Sequence, residues 1–120
     1  MTTVAHPSLA AGRWRTFSLM EQLAHVGSEV ERALNWRAKG HPEYSRLAVE
    51  RALELLGLTI ADPRHRSRLK EMTRLREALL DFFLGDNEFR STDRSWRTYF
   101  YAFAIAAATK KSRPAADFQA

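Results

Sequence analysis

The sequence contains no cysteine. Disulfide bonds, zinc sites with thiolate ligands and catalysis by a thiol are therefore excluded. No apolar run approaches the ~20 residues that a helix needs to span a bilayer, and no basic segment followed by an apolar core opens the chain, as a secretory signal would. We expect a cytoplasmic protein, as the default when such signals are missing.

Strand patterns and internal repeats are also lacking, and the only short β-prone run, residues 57–60, fits a connection. A chain of 120 residues is large enough for one domain with a single core. Its formal net charge of +5 favours anionic partners only mildly.

Helical periodicity is what the chain does contain, and it is strongest between Leu69 and Ala107. Apolar residues recur there at steps of three and four in two halves separated by Gly85 and a polar turn, so each half has one apolar helix face. Because neither face is stable in water, we expect a helical hairpin, with Gly85 in the left-handed conformation that ends a helix. The apolar residues are Leu69, Met72, Leu75, Leu79, Phe82 and Phe83, then Trp96, Tyr99, Phe100, Phe103, Ala104 and Ala107.

Ser18 and Glu21 mark the start of an earlier helix, because their spacing is that of a capping box. We expect this helix to run to about Lys39 and to end at Gly40. Gly27 in its middle costs about 1 kcal/mol relative to alanine, and close approach of a neighbouring helix would explain it. The residues expected to face the core are Leu19, Leu23, Val26, Val30, Ala33 and Leu34.

Pro42 suits the first position of a second helix, which we expect to stop at Gly57. Asp62 and Pro63, a cap followed by an N1 proline, then open the third. The apolar residues of the second helix are Tyr44, Leu47, Ala48, Ala52, Leu55 and Leu56.

The resulting prediction is an all-α protein, an antiparallel four-helix up-down bundle. The bundle occupies residues 17–109, between a flexible N-terminal tail at 1–16 and a flexible basic C-terminal tail at 110–120.

Carboxylates at helical spacing suggest a polar pocket, although ordinary surface ion pairs are the default explanation for them. Two such groups can divide acid and base roles when their pKa values differ. Histidine does not occur at the Glu-x-x-His spacing of di-metal bundles, so we expect no metal site. We also predict no cofactor and no catalytic residue, because structural ion pairing is the default role of such carboxylates. The pocket candidates are Glu29, Arg32, Arg74, Glu77 and Asp81.

Positively charged residues lie at the start of the predicted third helix. They are unfavourable there unless an anion lies nearby, because the N-terminus of a helix already carries partial positive charge. Glu50 and Glu54 of the preceding helix are one candidate source of that anion, and a phosphate backbone or an acidic partner is the other. The cations are Arg64, Arg66 and Arg68.

Arg94 and Arg97 flank the turn before the last helix, beside Trp96, and Trp14 lies between two further arginines. If these groups meet at one end of the bundle, they form the kind of basic, aromatic surface that binds single-stranded nucleic acid. The alternative is a Trp14 that packs on the bundle end beside solvated arginines.

Tyr101 and Ile105 fall on a different face from the other apolar residues of the last helix. A helix that is apolar on most sides is buried on most sides, so these two residues predict a self-association surface, for which a homodimer is the simplest solution.

The segments GSEVERALNW, RALELLGLTIADP, RLREALLDFFLGDNEF and STDRSWRTYFYAFA resemble a group of small prokaryotic helical proteins without an assigned activity. The resemblance covers roughly residues 17–107. In architecture the chain is more distantly similar to HEPN domains of toxin–antitoxin and defence systems, whose catalytic members cleave RNA with an Arg and a His that have four to six residues between them. Arg37 and His41 are the nearest match, but only three residues separate them.

We therefore expect a small non-enzymatic binding module that forms a homodimer, with a protein encoded nearby, RNA or another polyanion as possible partners and no membrane. A nucleic-acid-binding or RNA-processing protein is the alternative. Convergence of Glu29, Arg74, Glu77 and Asp81 in a concave pocket would favour an enzyme.

Overall fold

A computed structural model describes residues 12–112 of the chain, and the side chains of residues 12–109. Within this range the chain is helical and contains no strand. Four α-helices follow one another: α1 at Leu19–Ala38, α2 at Pro42–Ile60, α3 at Leu69–Leu84 and α4 at Asp93–Ser112. A 3-10 helix, Pro63–Arg68, joins α2 to α3, and residues 12–14 are also helical. The all-α prediction is confirmed.

The first helix lies at the centre of the fold, because α2 and α4 both pack mainly against it while α3 packs against α2. Arg37 near the end of α1 contacts Asp93 at the start of α4, and Gly27 in mid-helix meets Phe100. These two contacts make α1 and α4 antiparallel. A Cβ at position 27 would lie 2.7 Å from the Cβ of Phe100, so the predicted close approach of a neighbouring helix is confirmed.

Both predicted ends of α1 are confirmed. The Ser18 amide donates to Glu21 Oε1 over 2.9 Å, and the Glu21 amide donates to Ser18 Oγ over 3.2 Å, which completes the capping box. Gly40 has a φ of +81°, in the left-handed region that glycine occupies at low cost.

The predicted end of α2 at Gly57 is wrong, because the helix continues to Ile60. Its last turn carries Thr59, which is completely buried and accepts a hydrogen bond from the Trp14 indole. Packing of this turn offsets the roughly 1 kcal/mol cost of a glycine inside a helix.

Gly85 follows the last residue of α3, as expected, but with extended backbone angles instead of left-handed ones. The left-handed residues of this connection are Asn87 and Arg90, with φ of 54° and 58°. Asp81 explains why other residues of the turn, and not Gly85, adopt the left-handed conformation. Its carboxylate accepts hydrogen bonds from the amides of Glu88 and Phe89 and holds the turn against the end of α3.

The third α-helix begins at Leu69 and not at Pro63. Asp62 does cap the start, accepting from the Arg64 amide over 3.0 Å. The backbone then leaves helical geometry at His65, whose side chain is buried against Gln22. This buried contact explains the six-residue 3-10 segment before α3.

Most of the predicted apolar residues form the core or pack against it. The exceptions on α2 arise because Ser45 occupies the interface with α1, where it donates to the Ala33 carbonyl. With Ser45 on this side of the helix, neighbouring residues face solvent. Exposed instead of buried are Tyr44, Leu47, Leu69 and Ala104.

The predicted hairpin of α3 and α4 is present only in part. Phe82 and Trp96 are in ring contact at 6.2 Å, but α4 packs mainly on α1. Bulky rings separate the axes of α3 and α4, whereas Gly27 lets α1 and α4 approach closely.

The predicted N-terminal tail ends too late, since Trp14 within it is a core residue. At the other end, α4 extends past the predicted boundary at residue 109. The remaining tail residues, 1–11 and 113–120, lie outside the described part of the chain. No helix within residues 12–112 has both the length and the apolar character needed to cross a membrane.

Gly27 gives a test of this packing. We expect Gly27→Ala to lower the free energy of unfolding by about 2 kcal/mol, because the new methyl group overpacks against Phe100. Gly57→Ala is the matched control, since open space surrounds that helical position; it should leave stability unchanged or raise it by up to about 1 kcal/mol. Urea denaturation measures both. Equal effects of the two substitutions would contradict the packing assigned to Gly27.

Candidate functional site

A cleft of about 470 Å³ runs between α1 and α4. Its floor is apolar and consists of residues that are almost completely buried, whereas exposed and polar side chains form its rim. Floor residues include Val30, Leu34, Trp96 and Phe100, and rim residues include Ser28, Glu31, Arg97 and Tyr101.

Small residues on both helices leave the space for this cleft. Ala24 and Gly27 on α1 face Ala104 on α4 across it. Larger side chains at these positions would fill the gap that now separates Tyr101 from α1. The same glycine thus permits the close helix contact and the cleft beside it.

Trp96 in the floor has an unsatisfied hydrogen-bond donor. Its ring is 5% exposed and stacks on Phe100 at a centroid distance of 6.0 Å. Among the described residues its Nε1 is the only buried side-chain nitrogen or oxygen without a hydrogen-bond partner. Trp14, buried to a similar degree, donates from its Nε1 to Thr59 Oγ1 over 3.0 Å.

The polar rim is neutralised by an ion pair. Arg97 Nε donates to Glu31 Oε1 over 2.9 Å, and Arg97 Nη2 donates to Asn35 Oδ1 over 3.2 Å. The hydrogen bond that Arg97 donates to Glu31 raises the pKa of Arg97. Because both side chains are more than two-fifths exposed, water screens the pair and its contribution to stability is small.

A second cluster of polar groups lies at Asp62. Its carboxylate is buried and accepts from the Arg64 guanidinium over 2.7 Å, with His65 Nε2 at 3.5 Å. The Arg64 hydrogen bonds hold the pKa of Asp62 far below its usual range. Gln22 joins the cluster to the start of the described chain, since its Nε2 donates to the Trp14 carbonyl and its Oε1 faces His65. These contacts tie the α2–α3 link to α1, which is a structural role.

The structure answers the question of which anions neutralise the third helix. Arg64 pairs with Asp62, and Arg68 pairs with Glu71 at 2.7 Å. Glu50 instead lies 3.9 Å from Arg46. Carboxylates of the chain itself therefore neutralise two of the three predicted cations. These carboxylates are not Glu50 and Glu54, which the sequence suggested.

The other predicted nucleic-acid contacts do not form one surface in the described residues. Trp14 is in the core and not on a platform, and Arg97 is held by Glu31. Arg66 and Arg94 are exposed, and no carboxylate of the described residues pairs with either.

The candidates for a polar pocket are likewise dispersed. Glu29 pairs with Arg32 on its own helix at 3.1 Å, and Asp81 organises the turn after α3. Arg74 and Glu77 are exposed on α3. None of these contacts joins the α1 pair to the α3 residues.

Tyr101 and Ile105 are 66% and 48% exposed. They belong to an exposed apolar strip along the outer side of α4, which we call the outer strip and which is completed by Ala104 and Ala108. Tyr101 also forms part of the cleft rim, whereas Ile105 does not line the cleft.

Sequence reasoning missed the cleft and its unpaired indole. A signal was present, since Gly27 on one helix and alanines on another mark positions of close approach. The sequence could not show which of its three tryptophans would lack an acceptor.

No protein-family model matches this chain, and no curated protein or solved structure is significantly similar to it. The resemblance to small prokaryotic helical proteins and to HEPN domains therefore stays a prediction.

Asp62 gives a test of the second cluster. Because its pKa is lowered on folding from the ordinary value of 3.8, its ionised form stabilises the fold above about pH 4, and this contribution is lost as the pH falls further. Asp62→Asn should lower the free energy of unfolding by about 2 kcal/mol at pH 7, with a difference from the unchanged protein that shrinks below pH 4. Urea denaturation at a series of pH values measures this.

Glu50→Gln is the control, since its exposed partner at 3.9 Å predicts an effect below about 0.5 kcal/mol. An Asp62→Asn variant with full stability at pH 7 would contradict the role assigned to the carboxylate.

Proposed function

We propose that the protein is a small, non-enzymatic binding module that forms a homodimer through the outer strip of α4. The supporting observation is the exposure of Tyr101 and Ile105, one turn apart, on a helix whose large residues Trp96 and Phe100 are buried. Contiguous exposed apolar surface on a small protein is typical of an interaction site.

The spacing of the outer strip suits a second copy of the same helix. Tyr101, Ala104, Ile105 and Ala108 follow one another at steps of three, one and three, which is the spacing of a helix-packing seam. The two alanines allow close approach of another backbone, and the two larger residues fill the gaps between them. In a two-fold dimer the same strip faces itself, so one surface supplies both sides of the interface.

Charge does not oppose this association, although the chain has a net charge of +5. The nearest charged residues on the cleft side, Glu31 and Arg97, already neutralise each other. On the cleft side, two copies would therefore meet over a neutral surface.

We also propose that the four helices have the up-down order of a bundle. The antiparallel contacts of α1 with α4 support this order, as does the hydrogen bond from Ser45 near the start of α2 to Ala33 near the end of α1. Phe83 at the end of α3 packs with Val49 and Ala33, as an antiparallel α2 and α3 would require.

The alternative, an HEPN-like RNA-processing protein, has weaker support. Arg37 donates to Asp93 over 2.7 Å and lies 4.6 Å from the centre of the Phe82 ring, so its guanidinium joins α1 to α4. The His41 ring packs against Trp36 and Tyr44. Neither contact favours the pairing of Arg37 with His41 for RNA cleavage.

Light scattering after gel filtration tests the dimer. At tens of micromolar the protein should have twice the mass of the 13.8 kDa chain. Ile105→Glu should shift it to monomer, because the interface would bury an unpaired charge. Leu47→Glu is the matched control, since Leu47 on α2 is similarly exposed at 56%, and this variant should remain dimeric.

A 13.8 kDa species at every concentration, or equal dissociation by both variants, would refute the proposal. Co-purified nucleic acid that is released as the salt concentration rises would favour the alternative instead.

A further inference from the structure

We propose that the outer side of α3 binds an acidic amphipathic helix of a protein partner. This inference goes beyond the proposed dimer, because the surface involved includes no residue of the outer strip. We call the surface the α3 face. Its apolar residues are Leu69, Leu80 and Leu84, and the cations beside them are Lys70, Arg74 and Arg76.

The fold leaves one side of α3 uncovered. The packed side lies against α2 and holds buried residues such as Leu79. Leu80 follows Leu79 directly and is only half-buried, because side chains one position apart on a helix differ by about 100° in direction. Leu69 and Leu84 lie eleven and four positions from Leu80, spacings that return to the same side of an α-helix. They are 41% and 58% exposed, so an apolar stripe runs along α3 outside the core.

Cations without partners border this stripe. Lys70, Arg74 and Arg76 are exposed, and no carboxylate of the described residues pairs with any of them. Arg68, which precedes them, is instead neutralised by Glu71. The α3 face therefore carries positive charge that the chain leaves unneutralised, and carboxylates of a partner would complement it.

The apolar and charged residues together define the partner. A nucleic-acid backbone offers no apolar surface to cover Leu69 and Leu84, and it would be repelled by Glu77, the exposed carboxylate of α3 that has no ion pair. A second copy of α3 would bring like charges together. An amphipathic helix with acidic flanks meets both requirements, because it covers the leucines along their length and supplies carboxylates to the cations.

Two synthetic peptides about as long as α3 test the charge of the partner. Both have leucine at positions a and d of each heptad, but one carries glutamate and the other lysine at the flanking positions. We expect the acidic peptide to bind at least about tenfold more tightly than the basic one, with an affinity that falls as the salt concentration rises. Fluorescence anisotropy of the labelled peptides measures the affinities.

Charge reversal tests which cations bind. In the double variant Lys70→Glu/Arg74→Glu the preference should reverse, so that the basic peptide binds more tightly. Lys39→Glu/Arg51→Glu is the matched control, since it makes the same change in net charge at two exposed residues outside the α3 face, and it should keep the preference for the acidic peptide. Circular dichroism confirms that each variant is folded.

Shortening one leucine tests the apolar contact. Leu84→Ala should weaken binding of the acidic peptide about fivefold. Leu47→Ala is the control, because Leu47 on α2 is exposed to a similar degree, 56% against 58%, and this variant should bind as the unchanged protein does. Ile105→Glu should also bind normally, which separates the α3 face from the dimer: either proposal can fail while the other stands.

Equal affinity for the two peptides, an unchanged preference in Lys70→Glu/Arg74→Glu, or undiminished binding to Leu84→Ala would each overturn the proposal. An RNA oligonucleotide that displaces the acidic peptide and binds more tightly would also overturn it, since the α3 face would then be a surface for phosphate groups.

Discussion

The contact between Gly27 and Phe100 is the constraint on which the arrangement of helices depends. Without a side chain at position 27, α1 and α4 approach so closely that an added Cβ would lie 2.7 Å from Phe100. This approach fixes α1 at the centre and leaves α3 to pack on α2. It also fixes how α4 is rotated about its axis. With Phe100 turned towards α1, Trp96 must enter the core, while Tyr101 and Ile105 must point outwards, because side chains one position apart on a helix differ by about 100° in direction.

The Asp62 cluster fixes the other end of the molecule by a different kind of interaction. Gln22, His65 and Asp62 are polar, yet each is buried and hydrogen-bonded. The cost of burying them is offset only while all of these partners are present. Their partners come from α1, from the segment before α1 and from the link between α2 and α3, so the cluster specifies how these parts meet. Of the cations at the start of the third helix, Arg64 thus serves the fold, and the electrostatic case for a nucleic-acid partner is reduced by that one charge.

Local signals in the sequence predicted local structure well. Ser18 with Glu21, and Gly40, depend only on near neighbours, and the structure has them as expected. Gly85 is an exception, because its near neighbour Asp81 organises the turn. Other errors occur where a distant contact decides the outcome. Gly57 does not end α2 because the last turn of that helix supplies Thr59 to Trp14. The cleft was not predictable for the same reason, since it exists only when the small residues of two helices that are distant in sequence face each other.

Trp14 and Trp96 show what the sequence alone does not specify about a buried side chain. Both rings are about equally buried, so their hydrophobic contribution to stability is similar. They differ only in what the neighbouring helix brings to the indole nitrogen: α2 supplies a hydroxyl to Trp14, whereas the residues around Trp96 leave its donor unpaired. Phenylalanine would fill most of the space of Trp96 without burying an unpaired N–H, so stability alone does not favour tryptophan there. Around Trp96 the neighbouring side chains are aromatic, with Phe82, Tyr99 and Phe100 in ring contact, so the sequence does not mark this donor as one that is left unpaired.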